Sequence, residues 1–399
     1  MIPVDRPPIE NGVVEIHDGR VTAVRSALPH ESCEDLGDVA VLPGLVNAHA
    51  HLEFSLVEQP FRPALPFTDW IRSLVAYRHR EFTPNSTSQY AAYIAGAGEA
   101  EMSGTTLLGE IATAGWSELF EPSYSLHVVA FRELIGLQSE TIKQQLEIAS
   151  EWLANNVQLD SVTYGLSPHA PYSVAPELLR KSVELAKRFD APVAMHLAET
   201  REELEFLAHG RGEFVEMLKS FGAWPESGLP IGRRPLHILR VLADAPRALV
   251  VHGNYLTEDE IKFIATRPQM SVVYCPRTHE FFQHEPHPWR QLLEKGANVA
   301  IGTDGRGSNP DLSVWNELLF LRKRFPDVAP STLLELGTLA GARALGYEAV
   351  CGTITVGKRA DLVAVTLNDA ARNHDPLEAL FDNQRKVTRL MIELDWKAK

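Results

Sequence analysis

Four runs of aliphatic and β-branched residues along this chain each lead into ionisable side chains. Val39-Ala40-Val41-Leu42-Pro43-Gly44-Leu45-Val46-Asn47 precedes His49 and His51, and Ala191-Pro192-Val193-Ala194-Met195 precedes His196, with Glu199 three residues on. Arg247-Ala248-Leu249-Val250-Val251 precedes His252, and Asn298-Val299-Ala300-Ile301-Gly302-Thr303 precedes Asp304. Runs that are apolar throughout, rather than alternating, read as parallel strands buried on both faces. Between such runs the period changes to that of helices, as over Tyr90–Met102, Pro176–Phe189 and Glu258–Thr266. Residues 44–345 thus carry the βα alternation of a (β/α)8 TIM barrel, an α/β fold. Functional side chains at the C-terminal ends of several strands are the habit of that barrel's active site.

The two ends of the chain have a different rhythm. Gly12 to Val24 holds two alternating runs around Asp18-Gly19, a hairpin signal. Gly352 to Val365 reads as a second strand pair. We therefore expect residues 1–43 and 346–399 to meet in one small β-sandwich domain beside the 44–345 barrel. The stretch 52–88 is rich in proline and aromatics and reads as a long loop, either a lid over the site or surface packing.

Composition narrows the partners. The 399 residues exceed the ~250 typical of one barrel, which leaves room for the small domain. A net charge of −14 argues against nucleic acid or an anionic membrane and leaves a small molecule as the expected substrate. No window approaches ~18 uninterrupted apolar residues, so no membrane span is expected. The first residues lack the apolar core of a signal peptide, and Cys33, Cys275 and Cys351 are too few for a disulfide framework. A cytoplasmic location follows as the expectation. Homo-oligomerisation is left open by the sequence.

Along a strand, residues i and i+2 share a face, so His49 and His51 can converge on one ion. The pair alone is weak, since 15 histidines in 399 residues supply roughly 0.6 His-x-His pairs by chance. The other three strand ends give it weight. Further motifs join the set: Pro43 to Leu52, Ser167-Pro168-His169-Ala170-Pro171-Tyr172, His196-Leu197-Ala198-Glu199-Thr200, Val251-His252, Gly302-Thr303-Asp304, Pro310-Asp311-Leu312 and Gly357-Lys358-Arg359-Ala360-Asp361-Leu362. In that order the chain resembles the amidohydrolase superfamily, in its mononuclear branch of purine-type deaminases and triazine hydrolases. Within the branch it is most similar to aminodeoxyfutalosine and adenosine-derivative deaminases.

The resemblance implies that His49, His51, His196 and Asp304 bind one divalent metal, Zn²⁺ by preference with Fe²⁺ tolerated. Glu199 is then the proton shuttle, one helical turn beyond His196. His252 and Asp304 act on the attacking water, and His169 contacts the substrate at a ribose-like group. Binuclear relatives place a modified lysine at the end of the fourth strand. Here Ser161–Leu166 ends in Ser167-Pro168-His169, so a single metal is implied.

Trp70, Glu110 and His279 complete the candidate substrate contacts; Glu110 serves equally well as a structural residue. Arg132 and Glu133 face either the pocket or a neighbouring subunit. The chain departs from the branch after the seventh strand, where Thr278-His279 stand for a Ser-Asn pair. We place that change at the pocket mouth, and His284-Glu285-Pro286-His287 in a solvated loop. Cys275 reads as a small buried side chain rather than a nucleophile. The expected reaction is hydrolytic deamination of an amino-substituted N-heterocycle, an adenine nucleoside derivative first. The alternatives are another leaving group (triazine chloride or alkylamine, or a cyclic amide) and a non-catalytic barrel, which the complete ligand set disfavours.

Overall fold

The computed structural model describes residues 1–82, 87–116, 126–154, 161–367, 375–381 and 387–390. Its strands are β1 Gly12–His17, β2 Arg20–Ser26, β3 Val39–Pro43, β4 Leu45–Ala50, β5 Thr105–Ala112, β6 His127–Leu134, β7 Val162–Pro168, β8 Val193–Leu197, β9 Ala248–His252, β10 Met270–Tyr274, β11 Asn298–Ile301, β12 Leu362–Thr366 and β13 Val387–Leu390. Strands β4 to β11 form one eight-stranded parallel sheet in sequence order. Every residue of β4, β5, β8, β9 and β10 is buried, which is why apolar residues dominate on both faces of these strands.

The barrel is drawn shut where β11 returns to β4. The backbone N–H groups of Thr303 and Asp304 both donate to the His49 carbonyl, at 3.1 and 3.0 Å. Asn47 clamps the same seam, accepting from the Thr303 N–H at 3.1 Å and donating to its hydroxyl at 2.8 Å. Gly302 fits there because a Cβ would meet the His49 Cβ at 2.8 Å and Val273 at 2.9 Å. One seam thus sets the spacing between His49 and Asp304.

Helices cover the outside. Pro176–Phe189 buries Leu178, Leu179, Ser182, Val183 and Ala186 on one face; it opens on Pro176 and stops at Asp190, which has φ 54°. Helix Ser88–Met102 starts two residues before the expected Tyr90, and Glu258–Ala265 ends one short of Thr266. None of the described helices is long and apolar enough to cross a membrane.

The run Val39–Asn47 is two strands. Its first half, β3, pairs antiparallel with β12, which also pairs with β13; its second half, β4, opens the barrel. Asp18 and Gly19 both take positive φ, 48° and 70°, in the hairpin turn between β1 and β2. The two small sheets meet over Val21, Ile354, Ala360 and Leu362, so the two ends of the chain come together. The strand pair expected over 352–365 is corrected to the single strand β12. Ahead of it, the N–H groups of Ile354 and Gly357 donate to Pro3 and Val21 instead of to a partner strand of their own. Residues 391–399 of the expected terminal domain lie outside the described residues.

The long loop expected over 52–88 is also corrected. Leu52–Phe54 is a 3₁₀ turn, and Phe67–Glu81 is a four-turn helix that buries Phe67, Thr68, Trp70 and Tyr77. Residues 83–86 lie outside the described residues.

Candidate active site

The side chains singled out at the strand ends gather at the C-terminal mouth of the barrel. The ligand atoms of His49, His51 and His196 lie within 4.8 Å of one another, and all three residues are buried. Asp304 Oδ1 is 3.5 Å from His49 Nε2 and 3.6 Å from His51 Nε2. His49 Nε2 is buried and has no hydrogen-bond partner among the described residues. Such a group calls for an explanation, and an ion supplies one. The His196 ring donates from Nδ1 to the His169 carbonyl at 2.9 Å, which leaves the Nε2 lone pair facing the cluster. Burial, reinforced by His49, pushes His51 down to about 3. Burial likewise holds His196 well below the usual imidazole range. Neutral imidazoles are the form that binds metal. Three nitrogens and one carboxylate fit a single divalent cation of the Zn²⁺ type.

Three of these strands end in an unusual backbone turn. Ala198, His252 and Asp304 have φ of 54°, 67° and 60°. For L-residues this costs on the order of 1–3 kcal/mol each and needs support from the surroundings. After β8 the support is Glu203, whose two oxygens accept from the N–H groups of Ala198 and Glu199 at 2.8 and 3.0 Å. The turn at Ala198 carries Glu199 inward from the loop before helix Arg201–His209, not from the helical turn expected. Glu199 Oε1 then sits 3.3 Å from His252 Nε2. Burial, with Asp304 and Glu203 nearby, raises the Glu199 carboxyl well above its usual range. Asp304 accepts from the Ser308 hydroxyl at 2.7 Å, and Thr278 reaches Ser308 at 3.0 Å.

A cavity of about 240 Å³ opens over this floor, lined by His51, His196, Glu199, His252 and Asp304. His169, Tyr172, Arg78 and Glu133 also line it, as does an apolar wall that includes Phe67, Trp70, Leu74, Leu218 and Phe221. His169 and Trp70 therefore stand where the sequence led us to expect; the Trp70 indole donates to the Gly307 carbonyl at 3.0 Å. Glu110 and His279 are not in the lining. Glu110 accepts the Leu52 N–H on both oxygens, at 3.2 and 3.1 Å, and so fixes the backbone just after His51. His279 donates to the Glu285 carbonyl at 2.8 Å and braces its own loop.

The solvated loop expected at 284–287 is corrected, since His287 is buried, stacks on Tyr274 and donates to the His252 carbonyl at 2.7 Å. Cys275 is buried with its thiol pushed well above the usual range by burial, the behaviour of a packing residue. Of the pair left open, Glu133 lines the cavity and Arg132 does not. Arg78 and Tyr172 carried no role in the sequence reading, because neither sits at the end of an apolar run.

The Amidohydrolase family profile matches residues 40–393. A 5-methylthioadenosine/S-adenosylhomocysteine deaminase of Moorella thermoacetica is 32% identical over 389 residues, 92% of this chain and 84% of that protein. The zinc-bound crystal structure of an adenosine deaminase from Xanthomonas campestris is similar at a TM-score of 0.75 and 26% identity, over 95% of this chain and 86% of that one. Helicobacter pylori aminofutalosine deaminase, solved with methylthio-coformycin, shares the fold at a TM-score of 0.77 and 22% identity, over 96% of both chains.

Proposed function

Because the chain belongs to the amidohydrolase family, we propose that it is a metal-dependent hydrolytic deaminase of an adenine nucleoside derivative, releasing ammonia. The observation that carries this reading is Glu199. It is a buried carboxyl raised well above its usual range, 3.3 Å from His252, on the floor of a cavity that also holds the ligand cluster. The deaminase names of the relatives support the same reading.

His49, His51, His196 and Asp304 would hold the ion, which we take to be Zn²⁺. Bound there, it supplies Lewis acidity that makes water a competent nucleophile near neutral pH. The remaining work falls to the chain. A carboxyl whose affinity for protons is raised by burial can take a proton from water and pass it to a ring nitrogen. Glu199 stands beside the donor set to do so. His252 Nε2 lies 3.3 Å from Glu199 Oε1, where both can meet the same water. Ser308 and Thr278 fix the rotation of Asp304.

The apolar part of the lining suits a nucleoside with an uncharged substituent. The test is ammonia release by metal-replete protein from adenosine, 5′-methylthioadenosine, S-adenosylhomocysteine and a chlorotriazine. We expect turnover of an adenine nucleoside. No ammonia from any nucleoside, with metal bound, would reject deamination and move the reading to another leaving group.

A further inference from the structure

Between the floor and the apolar wall lies a band of charge that the deamination chemistry does not use. Glu133 stands near the end of β6, with its side chain 8% exposed and in the cavity lining. Its Oε2 lies 3.5 Å from the Arg78 guanidinium. Its Oε1 is buried with no hydrogen-bond partner among the described residues; the nearest cationic or ring nitrogen is His169 Nε2, at 4.0 Å.

Arg78 makes its hydrogen bonds to Glu53 rather than to this oxygen. The guanidinium is already engaged by Glu53, through Nε at 3.0 Å and through Nη2, and Glu53 is itself buried. Arg78 thus faces two carboxylates, Glu53 by hydrogen bond and Glu133 at 3.5 Å. Burial would raise Glu133, but Arg78, then His169, outweigh it and keep the carboxylate below its usual range. A buried ionised acceptor with a free oxygen calls for a donor. Water can meet this oxygen in the open cavity, and a ligand that displaces the water must bring a donor of its own.

The place of this oxygen says which part of the ligand. The His169 ring is 5.0 Å from that of His196, so His169 and Glu133 lie one side chain out from the ligand cluster. A nucleoside with its ring amine at the floor would set its sugar at this distance and its 5′ substituent against the apolar wall. We propose that Glu133 is the acceptor for the sugar hydroxyls of the substrate, with Arg78 holding its carboxylate in place. This rests on the nucleoside reading above.

The test is kcat/KM of the metal-replete enzyme for 5′-methylthioadenosine and its 2′-deoxy and 3′-deoxy analogues, in wild type, Glu133→Gln and Glu133→Ala. A hydrogen bond to a charged acceptor corresponds to roughly 10- to 100-fold. We expect wild type to disfavour at least one deoxy analogue by that factor, chiefly in KM. In Glu133→Ala the preference should shrink to within about threefold, because that variant loses rate on the full diol and little on the deoxy compound.

Equal losses on all three substrates would make Glu133 a support for Arg78 alone and overturn the proposal. So would a wild type indifferent to the missing hydroxyl, a result that needs no variant and stands even if Glu133→Ala fails to fold. No turnover of 5′-methylthioadenosine, adenosine or S-adenosylhomocysteine by wild type would instead strike the deaminase reading, and this proposal with it.

Discussion

Glu199 and Asp304 face the same imidazole cluster, yet their surroundings push them apart. Burial drives Glu199 up, with Asp304 and Glu203 adding to it. Burial acts on Asp304 too, but the contact with His49 and the neighbouring His51 outweigh it and hold Asp304 below the usual carboxylate range. Two carboxylates whose affinities are split this way divide the labour of acid–base chemistry and charge stabilisation. We predict that Glu199→Gln keeps its metal, measured by elemental analysis, and loses at least ~10²-fold in kcat, the scale of general acid–base catalysis. Wild-type turnover in that variant would remove Glu199 from the proton path. His49→Ala should instead come off the column with its metal largely gone, and full occupancy would contradict its place among the ligands.

At the scale of elements, the seam between β4 and β11 decides whether those residues meet. Asn47 is fully buried and spends its amide on Thr303. Removing it deletes two buried hydrogen bonds, although the Thr303 N–H keeps the His49 carbonyl and the Thr303 hydroxyl keeps that of Asp304, so Asn47→Ala should cost about 1–3 kcal/mol in chemical denaturation. Gly302→Ala should act differently. Its methyl group would press on the His49 Cβ at 2.8 Å, so the variant should bind metal more weakly even where it remains folded, as read by competition with a chelator. Unchanged metal affinity would mean the seam yields without moving His49.

The same seam marks what was legible beforehand. The strands and the side chains that end them could be read because a doubly buried parallel strand leaves a continuous apolar run. Helix Pro176–Phe189 could be read to its ends because proline opens it and its buried stripe is clean. Helix Phe67–Glu81 could not: Pro60, Pro63 and Pro66 precede it, and its buried aromatics Phe67, Trp70 and Tyr77 lie among polar and charged residues with no clean apolar stripe. The Arg78 pairing with Glu53 and Glu133 was equally hidden, since it joins a helix, a 3₁₀ turn and a strand with no periodic signature. Asp18-Gly19 announced its hairpin, but the positive φ at Ala198, His252 and Asp304 left no trace, as none of these is glycine.

Across the whole molecule the barrel has a second buried polar cluster, at the end opposite the ion site. His127 opens β6 there, 7% exposed, with its Nε2 2.5 Å from the Tyr347 hydroxyl and 3.5 Å from that of Thr163. Burial, then the charge of Arg359 from the C-terminal segment, pushes this imidazole down to about 4. The unfolded chain protonates histidine near ~6.5. Above that pH neither state carries the proton and the native contacts stand at full strength. As pH falls from about 6.5 toward 4, the unfolded chain takes up a proton that the native barrel refuses, so stability drops. At ~1.4 kcal/mol per unit, the loss between pH 7 and 4.5 is on the order of 2–3 kcal/mol from this residue. Burial also lowers His51 and His196, so their protonation in the unfolded chain adds to the same acid loss and the measurement must be a difference. His127→Gln keeps a group that can meet Tyr347 but cannot be protonated. Urea denaturation of wild type and His127→Gln at both pH values, with equal metal loading, should show the variant losing less stability on acidification by that amount. Equal losses in the two proteins would mean that native His127 takes up its proton as readily as the unfolded chain does, and that the lower end of the barrel is open to water.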